Sequence, residues 1–175
     1  MAERKYMVLT AVGPDRPGLV QEIASVIHGA KANLEDSRMA ILGGEFALIL
    51  LFSGSEQSVT EVGRQVPNFE SRLGLHASIR ETTRPAGVAA FHPYKLRVSG
   101  VDRPGIVAAV SKVLAGRGIN VASLESRVQN APESGTPMFV LAAELQVPSE
   151  VELSSLRRDI ATVCDDENLD FVLEA

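Results

Sequence analysis

Gly13-Pro14-Asp15-Arg16-Pro17-Gly18 returns later in the chain as Gly100-Val101-Asp102-Arg103-Pro104-Gly105, with Asp102 standing 87 positions after Asp15. The same offset carries Leu19 to Ile106, Val20 to Val107, Ile23 to Val110, Val26 to Val113 and Ile27 to Leu114. It also carries Gly29 to Gly116 and Asn33 to Asn120. A turn signature and the apolar face that follows it shift together, which marks duplication of one structural unit.

Outward from each turn the local signals agree. Tyr6–Val12 and Tyr94–Ser99 read as strands that end at the glycine-containing motif. The apolar positions 19, 20, 23, 26 and 27, and their repeats at 106, 107, 110, 113 and 114, then form a helical stripe. Gly29 and Gly116 stand where a left-handed cap is expected to end each helix.

Leu34–Leu42, Gly43-Gly44 and Glu45–Phe52 read as a hairpin, since two glycines between apolar runs favour a tight turn. In the second copy the strands Val121–Asn130 and Met138–Val147 are joined by a longer, polar loop, Ala131–Pro137. That loop is either a contact for a partner or plain solvent-exposed chain. Val59, Val62 and Val66 mark another helix, as do Leu153, Leu156, Ile160 and Val163. Final strands are expected at Leu73–Arg80 and Leu169–Leu173.

The order is β-α-β-β-α-β twice, an α+β fold of two tandem ferredoxin-like modules. Residues 1–84 make the first, 85–93 a linker that begins Pro85-Ala86-Gly87, and 94–175 the second. With 175 residues each unit is small, which favours packing on a further module or copy.

The turn has two readings that coexist. As structure, Pro17 and Pro104 suit a first helical turn because the missing N–H has no partner there anyway. Arg16 and Arg103 are then held just before the cap, and Asp15 and Asp102 can bond the nearby amides. As function, the glycines Gly13, Gly18, Gly100 and Gly105 leave bare backbone N–H groups at a helix N-terminus, where a small carboxylate binds. Asn33 and Asn120 are either turn residues bonded to their own backbone or amides that hold the polar groups of a free amino acid.

The G-x-D-R-P-G turn, the amphipathic helix after it and the asparagine before the second strand resemble the ACT domain, a regulatory module. The resemblance runs from Tyr6 to Arg80 and again from Tyr94 to Leu173. It implies binding of amino acids at interfaces between modules, by the twelve turn and asparagine residues just named. Asn33–Phe46, with Asn120–Arg127, further resembles the family of glycine cleavage repressors. That resemblance implies a non-enzymatic regulator in which a small amino acid such as glycine is the ligand. It also implies a partner, a separate DNA-binding transcriptional activator, through which transcription is modulated. A ligand-free ACT assembly protein is the alternative.

Other classes find little support in the chain. The net charge is −5 and no basic stripe is present, Arg4-Lys5 being too short, so direct nucleic-acid binding is not expected. His28, His76 and His92 are dispersed and Cys164 is single, so neither a metal site nor a Cys-His nucleophile is indicated. Glu35 and Asp36, adjacent on a strand, should point to opposite faces and not share a proton. No cofactor fingerprint occurs, and no cofactor is expected. The N-terminus lacks an apolar signal core and the longest apolar run, Phe46–Phe52, is too short to span a membrane, so a cytoplasmic location is expected.

One asymmetry separates the copies. Met7, Leu9 and Ala11, like Tyr94, Leu96 and Val98, should face the helices. The opposite face then carries Val8, Thr10 and Val12 in the first copy, against Lys95, Arg97 and Ser99 in the second. Phe46–Phe52, apolar on both parities, reads as covered on both sides. The first open face is therefore expected to be buried against a module or subunit in a homo-oligomer such as a dimer.

Overall fold

The computed structural model describes residues 4–83 and 91–175. These form two units, each with its own core. In module 1, β1 (Lys5–Pro14), α1 (Leu19–Gly29), β2 (Asn33–Leu42), β3 (Glu45–Gly54), α2 (Glu56–Asn68) and β4 (His76–Thr82) follow in order. Module 2 repeats them as β5 (Phe91–Val101), α3 (Ile106–Gly116), β6 (Asn120–Asn130), β7 (Pro137–Pro148), α4 (Leu153–Asp166) and β8 (Leu169–Glu174). The boundary after residue 84 and linker positions 85–90 lie outside the described residues. The last three linker positions, Phe91, His92 and Pro93, instead open β5.

Each sheet is antiparallel, in the order β2-β3-β1-β4 and β6-β7-β5-β8. The helices cover one face. Leu9, Ala11, Leu48, Leu50 and Phe52 pack there against Leu19, Ile23, Ile27 and Val62. Leu96, Val98, Leu141, Leu145, Ile106, Val110, Leu114 and Leu156 do the same in module 2. The stripe is narrower than its spacing suggests, because Val20 and Val107 are exposed. They sit in the first turn of each helix.

Module 1 has an element that the apolar spacing leaves unmarked. Pro67 lies inside α2, and the chain continues as a π-helical turn, Phe69–Leu73, that buries Phe69 and Leu73 and ends at Gly74. The last strand therefore starts at His76, three residues later than expected. After the first helix of each module, the left-handed residue is Lys31 (φ 57°) or Gly118 (φ 66°), whereas Gly29 and Gly116 end the helices themselves.

The face away from the helices is open. Across β2-β3-β1-β4 it reads Asp36-Leu51-Val8-Arg80, then Arg38-Ile49-Thr10-Ser78, then Ala40-Ala47-Val12-His76. Ile49 and Val12 keep 48% and 49% of their surface exposed, so β3 is covered on one side only. The expectation that Phe46–Phe52 is covered on both sides is therefore not met within module 1, whose own residues leave the open face uncovered. On the matching face of module 2, Glu144, Lys95 and Glu174 share one row, and Ala142, Arg97 and Val172 the next.

Candidate functional site

The repeated turn is built in the same way twice. Gly13 is buried in β1, and a Cβ there would stand 2.5 Å from the Gly74 carbonyl oxygen. Gly100 is likewise pressed against Leu169 and Asn168. These first glycines are required by close packing with the start of the last strand. The second glycines answer to backbone geometry: Gly18 and Gly105 are the helix N-caps, at φ 97° and 101°.

Asp15 and Asp102 act through the main chain. The Asp15 N–H donates to the Gly44 carbonyl and the Asp102 N–H to that of Pro137, each at 2.9 Å, fastening the turn to the hairpin end. Neither helix has a side-chain cap, so the expected aspartate cap is not formed. Pro17 and Pro104 precede the N-cap glycine and so stand outside the helix, before the first helical turn in which they are expected. The first amides of α1 and α3 therefore have no side-chain acceptor at the cap.

The arginines diverge. Arg16 pairs with Glu22 of α1 at 3.1 Å. The position of Glu22 is Ala109 in module 2, and Arg103 instead lies 3.0 Å from Glu167 at the end of α4, an ion pair without hydrogen-bond alignment. Beside the first turn a cavity of about 380 Å³ is lined by Asp15, Arg16, Gly18, Val20, Met39 and Phe46. It is large enough for a small amino acid.

Asn33 and Asn120 do not join this cavity. Asn33 faces Ser53 at one end of β3, and the turn lies beside Phe46 and Glu45 at the other. Asn120 faces Gln146, far along β7 from Phe139 and Met138 beside Gly100 and Val101. At about 3.4 Å per strand residue, that separation is on the order of 25 Å. Within one module the turn and the asparagine are not brought together.

Each asparagine has a side-chain partner. Asn33 Nδ2 donates to Glu35 at 3.0 Å, and Asn120 Nδ2 donates to Gln146 at 2.7 Å. Glu35 also accepts from the buried Ser53 hydroxyl, which accepts from Arg4 Nε at 2.7 Å. A β-bulge between Leu34 and Asp36 places Glu35 in this network. The bulge breaks the alternation expected for Glu35 and Asp36, but the two carboxylates keep separate partners, since Asp36 pairs with Arg38 at 2.6 Å. Module 2 has a bulge at the same point, between Val121 and Ser123.

The remaining titratable residues do not converge. His28 lies in the last turn of α1, His76 starts β4 and His92 lies in β5, all exposed. Cys164 is buried on α4, and burial, then the nearby Asp165 and Asp170 carboxylates, push its thiol above its usual range. Among the described residues no three His, Cys, Asp or Glu side chains cluster closely enough to hold a metal ion. No helix among them is long and apolar enough to cross a membrane.

Comparison with known proteins fits this repeated geometry. Models of the ACT domain match residues 5–80 and 94–153, together well over half of the sequence. The chain belongs to the ACT domain family. As a tandem ACT protein it is 28% identical over 171 residues to the glycine cleavage system transcriptional repressor of Escherichia coli (strain K12). That match covers 96% of this chain and 88% of the relative. A solved structure of an unknown protein from Galdieria sulphuraria is 30% identical, with a TM-score of 0.82 over 98% of both chains. Another, provisionally named a glycine cleavage system transcriptional repressor, is 28% identical with a TM-score of 0.75, covering 99% of this chain and 98% of its own. The formyltetrahydrofolate deformylase of Mycobacterium tuberculosis (strain ATCC 25618 / H37Rv) is 42% identical over 72 residues, 40% of this chain but 22% of that enzyme. The likeness to the deformylase is thus about one ACT module long.

Proposed function

We propose that this tandem ACT protein is a non-enzymatic regulator that binds a small amino acid, glycine first among candidates, at edges between ACT modules. It then acts on transcription in the cytoplasm through a protein partner, a DNA-binding activator. The observation that carries this reading is the uncapped start of α1 and of α3, each behind a left-handed glycine. Free amides and the positive end of the helix dipole there favour a carboxylate. Asn33 and Asn120 supply an amide with donor and acceptor for the rest of an amino acid.

The turn and the asparagine sit at opposite ends of a module, so one module alone does not offer both to a single small ligand. The likeness to the Escherichia coli repressor along nearly the whole chain supports the regulatory role and glycine as the first ligand to try.

The bonds Asn33 makes to Glu35 and Asn120 to Gln146 favour a second reading, an assembly protein without ligand, in which these amides only brace the strand ends. Thermal unfolding against each free amino acid separates the two. Ligand binding predicts a rise in Tm with one amino acid, lost in Asn33→Ala and Asn120→Ala while binding to the activator persists. No rise with any amino acid removes the ligand reading and leaves the second.

A further inference from the structure

The open face of module 1 combines an apolar centre with charges at its two edges. Val8 and Val12 on β1 and Ile49 and Leu51 on β3 fill the centre, and a depression of about 300 Å³ opens over Val8, Ile49 and Leu51. Asp36 on β2 and Arg80 on β4 lie at opposite ends of one row. Arg80 has no ion-pair partner among the described residues. A sheet face with exposed branched aliphatic side chains in its middle marks a contact surface.

We propose that this face binds the same face of a second copy of the chain, about a two-fold axis running along the strands between β1 and β3. That axis exchanges β1 with β3 and β2 with β4 while keeping each row in place. It sets Leu51 of one copy on Val8 of the other, and Asp36 on Arg80. Each contact occurs twice, as a two-fold interface requires. Sheets stacked about 10 Å apart and within about 30° of parallel keep such rows in register near the axis.

The charge pattern selects the occupant. One row holds an acid at one edge and a base at the other, so that row is complementary to itself, with Asp36 shared between its own Arg38 and the Arg80 of the second copy. The equivalent row of module 2 is Ser123-Glu144-Lys95-Glu174. There Lys95 already lies between two carboxylates on neighbouring strands, and burying those charges offers no comparable apolar gain. The copies of the repeat have therefore diverged, the first toward self-association and the second toward water. This inference does not rest on the amino-acid ligand.

Sedimentation equilibrium of the full chain over a concentration series tests it, with circular dichroism as the check on folding. The wild type is expected to dimerise, and Ile49→Lys, at the centre of the face, to raise the dimer dissociation constant about tenfold or more. Asp36→Arg and Arg80→Asp should each weaken the dimer, and the double variant should restore it. Ala142→Lys on module 2, the counterpart of Ile49, should change nothing. A chain that stays monomeric at every concentration overturns the proposal. So does a dimer that ignores Ile49→Lys but yields to Ile41→Lys on the helix side of β2, or a double reversal that fails to restore binding.

Discussion

The first glycines of the two turns are both required by close packing but meet different atoms, which substitution will separate. At Gly13 an added methyl meets a backbone carbonyl at 2.5 Å, while at Gly100 the nearest atom is the flexible end of Leu169 at 2.5 Å and the nearest carbonyl, that of Asn168, stands farther off at 3.0 Å. Gly13→Ala is therefore expected to destabilise module 1 by about 1–3 kcal/mol, and Gly100→Ala to cost module 2 less, since a side chain yields more easily than main chain. Urea unfolding midpoints measure both, and equal losses would contradict the distinction. Cys164 offers a pH-dependent test. Its thiol is raised above the usual 9.0 in the folded state. The folded protein thus holds that proton more tightly than the unfolded chain, and stability is full below about pH 9 and falls as pH rises beyond it. Cys164→Ala should cost about 1 kcal/mol at pH 7, from the lost packing. Its deficit relative to wild type should shrink at pH 10. The glycine spacing of the turn is visible in the chain, but which glycine answers to space and which to φ depends on what lies across the sheet. No local signal carries that.

At the scale of elements, the helices and hairpins follow from local patterns: apolar spacing at 19, 23 and 27, and Gly43-Gly44 between apolar runs. Features set by cross-strand register do not. The bulge that turns Glu35 toward Ser53 has no mark in the sequence, because alternation along one strand is read without its partner. The π-helical turn after Pro67 shifts β4 for a similar reason, since burial of Phe69 and Leu73 decides it. The repeat itself points to one correctable element. Lys31 adopts the left-handed conformation that Gly118 provides in module 2. Lys31→Gly should relieve strain of roughly 1 kcal/mol, partly offset by glycine's greater unfolded entropy, for a net gain of about 0.5 kcal/mol. Thermal unfolding of the variant reads it, and a lower Tm would contradict it.

On the scale of the whole molecule, the duplication and the family are legible in the turn, the helix face and the asparagine, which match at one offset. The composition of the candidate site is legible too, but its arrangement is not. Gly13 and Asn33 are 20 positions apart in sequence and at opposite ends of a sheet, a consequence of the β1-β3-β2 register. The proposed site therefore needs two modules, and a single module should bind no ligand. The two copies keep the same uncapped helix starts while their open faces diverge, so the proposed sensing and the proposed self-association rest on separate surfaces. Isothermal titration of the intact chain with glycine and the other free amino acids tests the sensing claim most directly. The account predicts saturable heat with a small amino acid, abolished in the Asn33→Ala, Asn120→Ala double variant. Absence of heat with every amino acid, or full binding by the double variant, would contradict it.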